Sequence, residues 1–324
     1  MNHFRILSLD GGGIKGAFTA SVLATLEEVT GKRVLDHFDL ITGTSTGGII
    51  AVGLGMGLSA GELREFYRSE GSAIFPSTGL THRLRSNLRH LFRPKQSQET
   101  LRRAIARVLG DRKLGESQRP LVIPAYDAVG GRIYLFKTPH HAHFSYDFDS
   151  PAVDVAVATA AAPTYYSAFE FPRNGVSYID GGVWANCPVL VGLAEATNWL
   201  DAAPKDIDIL SIGTTTEPFY ISERRRLGGI LSWNKGLVEI FMFAQVEAAL
   251  AQANLITGGQ VHRIDAVTLP GRFLMDDARA VDELIALGDM EARKRVNVDV
   301  VKERFLNGDF VPPFVPNHLP GRTA

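Results

Sequence analysis

Three short stretches of this chain hold residues that could do chemistry together: Asp10-Gly11-Gly12-Gly13-Ile14-Lys15-Gly16, Gly43-Thr44-Ser45-Thr46-Gly47-Gly48 and Ile179-Asp180-Gly181-Gly182. The second fits G-x-S-x-G, the sharp turn on which a nucleophilic serine is presented. The strand-like run FDLITG precedes it and a helical pattern rich in small residues follows. Its glycines permit a tight turn, and the helix N-terminus places positive partial charge beside the Ser45 hydroxyl. A serine also needs a base, and acyl transfer needs donors for the oxyanion. Asp180, closing the strand-like VSYID, could reach a serine on a neighbouring strand. Gly11, Gly12 and Gly13 offer consecutive N–H groups, free of side chains, where a helix begins, which suits an oxyanion hole. The alternative for Ser45 is a plain N-capped turn.

The glycine loop has a second use. From Gly11 it fits G-x-G-x-x-G, the dinucleotide fingerprint, which also demands an acidic residue at the end of the next strand to hold a ribose. Asp36 and Asp39 lie before or at the start of that strand, and its end carries GTSTGG instead. A Ser–His–Asp triad would place a histidine after Asp180, where only His262, inside VHRIDAV, and His318, in a proline-rich tail, occur. Neither is a natural triad loop. His140, His141 and His143 lack carboxylate or cysteine partners at metal-binding spacing, so they read as a polar loop and no metal is expected. Cys187, the single cysteine, excludes an intrachain disulfide and reads as a small buried side chain near the site.

The elements that must position these turns alternate. FRILSL (4–9) and FDLITG (38–43) read as strands, with helices over 14–29, after Gly43, and after Ser59 as N-cap. PLVIPAYDA and RIYLFKT form a hairpin across Gly130-Gly131, and PAVDVAVATAAAP is a helix. Further strands fall at 176–182, 207–214 and VHRIDAV, with helices from Pro188, over 236–256 and near 276–287. The expected fold is α/β in three layers, a mostly parallel central sheet with helices on both faces. All three turns then lie at carboxyl ends of strands, where such sheets place their sites. Residues 4–200 are expected to form the catalytic core, and 201–324 a C-terminal part that completes the fold and could regulate it.

A hydrophobic content of 45% and a net charge of −1 describe an ordinary globular protein with no global pull toward nucleic acid, so no DNA or RNA polymer is expected as a partner. A secretory signal is not evident, and the longest weakly polar stretch, 47–61, is too short to span a bilayer. A cytoplasmic protein is expected. From Thr81 to Lys113 ten Lys and Arg face two acids. The run from Arg83 to Arg107, and Arg224, Arg225 and Arg226, are a solvated surface or a contact for anionic headgroups or an anionic regulator.

DGGGIKG, GTSTGG and IDGG, in this order and at these separations, resemble the three motifs of patatin-like phospholipases, and ATAAAPTYYSAFEF resembles that family's approach to its aspartate. The likeness covers about the first 200 residues. It implies a patatin-like fold and a Ser–Asp dyad without histidine, acting on fatty-acyl esters of membrane glycerophospholipids at the inner membrane surface. Ser45 would be the nucleophile, Asp180 the base and Gly11–Gly13 the oxyanion hole. Lys15 fills a position where the family has Arg or Lys, and Gly16, Gly43, Gly47, Gly181 and Gly182 support the turns. The layout further resembles patatin-like effectors of bacterial antiphage systems. That implies no required cofactor, a cyclic dinucleotide activator such as cyclic GMP–AMP, and homo-oligomerisation on activation. The rival readings are a constitutive esterase and a non-catalytic nucleotide- or lipid-binding module on the same scaffold.

Overall fold

A computed structural model describes residues 3–75, 97–163, 165–218, 220–221, 223–228, 233, 236–308 and 310–319. In chain order the main elements are β1 (Phe4–Leu9), α1 (Gly16–Thr30), β2 (Leu40–Gly43), α2 (Thr46–Gly55), α3 (Ala60–Ile74), α4 (Gln98–Leu109), β3 (Leu121–Asp127), β4 (Arg132–Lys137), α5 (Ala152–Thr159), β5 (Phe169–Glu170), β6 (Ser177–Asp180), α6 (Val189–Trp199), β7 (Ile207–Ile212), α7 (Gly236–Thr257), β8 (Val261–Ile264) and α8 (Val281–Ala292). Local signals set several of these boundaries. Ser59 and Glu62 form a reciprocal capping box on α3, and Gly31 ends α1 in the left-handed conformation. The helix expected near 276–287 begins later, at Val281, because Asp277 caps a separate short turn.

Side chains alternate across the strands and divide the core in two. Leu7, Leu9, Ile41, Ile123, Leu210 and Ile212 face one side and pack with residues of α1 to α5 and α8. Ile6, Leu40, Val122, Ile207 and Ile209 face the other, against Val189 and Leu193 of α6 and Ala249 and Ala253 of α7. Period-two alternation of apolar residues in both directions is what a sheet covered on both faces requires.

Five strands run parallel, in the order β3-β2-β1-β7-β8. The rest of the mostly parallel sheet is antiparallel. β4 pairs antiparallel with β3 over Val122–Asp127 and occupies one edge of it. The other edge is shared: β2 pairs with its beginning, Leu121 and Val122, and β6 pairs antiparallel with its end, Ala125 to Asp127. β2 and β6 therefore approach each other head-on along β3, and their carboxyl ends meet. Opposed strands, rather than neighbouring parallel ones, bring the Ser45 and Asp180 turns together.

Candidate active site

Ser45 stands between β2 and α2 with φ 55° and ψ −122°, a backbone conformation that costs a non-glycine residue on the order of 1–3 kcal/mol. The surroundings hold it there. Its N–H donates to Thr159 Oγ1 at 3.0 Å, and that hydroxyl donates to the Pro124 carbonyl at 2.6 Å. On either side, Thr44 Oγ1 donates to the Ala185 carbonyl, and the Thr46 hydroxyl meets the Tyr67 hydroxyl. The turn is close-packed: a Cβ on Gly43 would lie 2.2 Å from the Gly47 carbonyl oxygen, and one on Gly47 2.3 Å from that of Leu9. Ser45 itself is half-buried.

Asp180 ends β6, buried with only 4% of its surface exposed. Its carboxylate accepts the Gly182 N–H at 2.7 Å and has the Ser45 hydroxyl beside it. Burial pushes its pKa up to about 6, against the lowering effect of those two groups. Gly181 lets the chain pass β3 closely, since a Cβ there would sit 2.4 Å from the Pro124 carbonyl oxygen.

The glycine loop touches the serine directly; a Cβ on Gly11 would be 3.2 Å from that of Ser45. Its three amides are not equivalent, which narrows the expected oxyanion hole. The Gly11 N–H already donates to the Asn186 carbonyl at 3.0 Å, because Gly11 continues β1 past the turn after β6. Ile14 N–H donates to Met275 O, and Lys15 N–H to Gly12 O. The N–H groups of Gly12 and Gly13 have no acceptor among the described residues. Gly13 adopts φ 60° and leaves no room for a side chain, with Met275 O 2.5 Å from where its Cβ would be. Gly16 starts α1 against Thr46 and Tyr67. Lys15 is buried and pairs with Glu217 at 3.4 Å, and Glu217 also accepts the Gly271 N–H at 2.7 Å. The lysine thus ties the loop to the segment after β7 and, through Glu217, to the one after β8.

Three supports carried no motif in the sequence. Asn186 receives Gly11 through its carbonyl, and its N–H donates to Gln245 Oε1 of α7 at 2.6 Å. Thr214 Oγ1 donates to Gly11 O at 3.0 Å. Arg263, on β8, donates to Asp10 Oδ2 at 2.6 Å, Asp265 Oδ2 at 2.8 Å and Ser211 Oγ at 2.8 Å. Burial keeps the Asp10 carboxyl above the usual range even so, and the two carboxylates push the guanidinium pKa up. A basic residue facing an acidic one across β1, β7 and β8 is visible only once those strands are paired.

The remaining candidates lie elsewhere. His262, on β8, interacts with Asn297, and burial lowers its pKa. His318 donates its Nε2–H to Ala142 O at 3.0 Å. His140 is buried between Thr138 and Glu195, while His141 and His143 pack on Trp199. Cys187 is buried close to Asp10. Of the basic run, residues 83–96 lie outside the described residues. In α4, Arg102 pairs with Asp154, Arg103 with Glu99 and Arg107 with Glu70. Arg226 pairs with Glu223; the side chains of Arg224 and Arg225 lie outside the described residues. Beyond the Met275 segment, an apolar groove of about 580 Å³ is lined by Tyr220, Leu269, Phe273, Leu287 and Met290 among others.

A serine held at a strained elbow, a buried carboxylate near its hydroxyl and two unengaged amides in the loop whose Gly11 touches the serine form an arrangement suited to acyl transfer. Residues 7–193 match the family model described as patatin-like phospholipase. The chain is 36% identical over 287 residues to a Pseudomonas aeruginosa protein named cGAMP-activated phospholipase, covering 87% of this chain and 83% of that one. A Vibrio cholerae protein of the same name is 37% identical over 238 residues, covering 68% of this chain and 67% of that one. Patatin-like protein 2 of Arabidopsis thaliana is 30% identical over 355 residues, covering 92% and 86%.

Proposed function

This chain belongs to the patatin-like phospholipase family, and from that premise we propose that Ser45 and Asp180 are its catalytic dyad, serving a lipid acyl hydrolase switched on by a cyclic dinucleotide. The observation that carries the dyad is the meeting of the β2 and β6 ends along β3, which sets the strained Ser45 beside a buried Asp180 carboxylate that burial holds near pKa 6. Asp180 takes the Ser45 proton as Oγ attacks the ester carbonyl of a membrane phospholipid. The oxyanion moves onto the Gly12 and Gly13 amides, assisted by the N-terminal dipole of α2. Collapse expels the lysolipid, which receives the proton from Asp180. Water then gives its proton to the same carboxylate and attacks the acyl-serine; fatty acid leaves and Ser45 is regenerated.

An aspartate is a weak base for a hydroxyl in water. Burial raises its pKa to about 6, and the elbow holds the serine in place before substrate arrives. The mechanism uses no cofactor. Lys15 serves as a structural tie of the loop through Glu217.

The names of the Pseudomonas and Vibrio relatives support activation by cyclic GMP–AMP. The reading further takes the enzyme as a cytoplasmic antiviral effector that attacks the inner face of the membrane. The test is fatty-acid release from mixed phospholipid vesicles, with and without cyclic GMP–AMP, for wild type and Ser45→Ala. The expected outcome is release by wild type only, rising at least tenfold with the nucleotide. Equal wild-type rates with and without it would leave a constitutive lipase and remove the switch. Release by Ser45→Ala would remove the dyad.

A further inference from the structure

α7 is apolar on two opposite sides. Its inward side places Ala249, Ala253 and Thr257 in the interior, with Val246 and Leu250 packed on the core beneath the sheet. At 100° per residue, Phe241, Ala244, Ala248, Ala251 and Leu255 fall within a sector of about 80° on the other side. All five are exposed, Phe241 by 68% and Leu255 by 81%. Over Glu239–Thr257 the helix has a mean hydropathy of 1.3, and 17% of its residues are buried. This length and hydropathy would suffice to cross a bilayer, so 47–61 is not the longest weakly polar stretch. Glu239, Gln245, Glu247, Gln252 and Asn254 break up the run of letters and conceal it.

We infer that this outward stripe is a self-pairing surface, on which α7 of a second copy docks antiparallel about a two-fold axis through Ala248. The spacing of the stripe is 3-4-3-4, the seam of paired helices. Its order, large, small, small, small, large, is the same in both directions about Ala248, because Phe241 and Leu255 each lie seven residues away. An isologous contact needs such a self-complementary pattern. In the antiparallel pair Phe241 covers Leu255 of the second copy, and three alanines allow the backbones to approach closely.

A lipid surface fits the stripe less well. Helices that lie on bilayers carry Lys and Arg along the polar flanks and bulky residues along the apolar face. α7 has no Lys or Arg from Gly236 to Thr257, has Glu239 and Glu247, and presents alanine at the centre of its outward face. The pairing surface is close to the chemistry. Gln245, on the same helix, accepts the Asn186 N–H, and the Asn186 carbonyl accepts that of Gly11. A contact on α7 is thus two hydrogen bonds from the oxyanion loop.

Cysteine scanning under mild oxidation, with light scattering for mass, tests the surface and its symmetry. At an axis separation of about 9 Å, facing Cα atoms are about 4.4 Å apart, within disulfide range. Cys187 is buried and leaves the background clean. Wild type should have the mass of a dimer, Ala248→Cys should cross-link to itself, and Phe241→Cys should cross-link only when mixed with Leu255→Cys. Ala248→Glu should halve the mass with an unchanged circular dichroism spectrum. A monomeric wild type overturns the inference, as does self-cross-linking of Phe241→Cys without that of Ala248→Cys. Co-flotation of a monomeric wild type with anionic vesicles, lost in Ala248→Glu, would assign the stripe to lipid instead.

Discussion

At the scale of single residues, the account turns on one buried carboxylate. Asp180 must be ionised to accept the Ser45 proton, and its pKa near 6 sets where that holds. Hydrolysis should rise with pH through about 6 with the slope of a single proton and then level off, measured as kcat/KM on a soluble ester. The same shift has a cost in stability. A carboxyl whose folded pKa lies above its unfolded 3.8 destabilises the native state once it ionises. Asp180→Asn, which can still accept from Gly182, should be inactive yet more stable than wild type at pH 7, by up to about 3 kcal/mol. In urea melts that gain should shrink as pH falls from 7 toward 4, because the wild-type carboxyl then takes up its proton. A gain independent of pH would place the effect elsewhere. Ser45, Asp180 and the glycines were legible because each chemistry demands a residue type at a turn. The division among the glycine amides was not, since the acceptor for Gly11 is a backbone carbonyl that sequence letters do not mark.

At the scale of elements, strands and helices were largely legible, and the direction of β6 was not. Alternation of strand and helix favours parallel pairing, but nothing in VSYID states which edge of β3 it joins. β3 is long enough to hold β2 at its start and β6 at its end, and this shared edge makes the head-on meeting. Asp10, Arg263 and Asp265 fasten β1 and β8 behind it. Asp265 keeps other donors in Thr215, Thr216 and Ala266, whereas Asp10 would be left buried with its charge unopposed. Arg263→Met should therefore destabilise the fold by about 3–5 kcal/mol in urea unfolding. A loss under 1 kcal/mol would mean the network is not what secures the loop.

At the scale of the whole molecule, residues after Asp201 are built into the same sheet as the motif-bearing part. β7 pairs with β1 along its full length, and the segment 311–317 is held by Arg119 and Pro139. The proline-rich tail was legible as such; its anchor, a buried arginine far away in sequence, was not. Glu217 and Met275 reach the glycine loop from beyond β7, and Gln245 reaches it through Asn186. A cyclic dinucleotide bound in the C-terminal part would have a physical route to the proposed oxyanion amides. The nucleotide should accordingly raise kcat more than it lowers KM, as steady-state kinetics on vesicles would resolve.

The central claim is a Ser–Asp dyad working without histidine. Its most direct measurement is the rate of fatty-acid release from phospholipid vesicles, under activating conditions, by Asp180→Asn and His262→Ala compared with wild type. A loss of at least about a thousandfold is expected for Asp180→Asn, on the scale of removing a nucleophile's base, with His262→Ala close to wild type. Near-full activity in Asp180→Asn together with its loss in His262→Ala would contradict it.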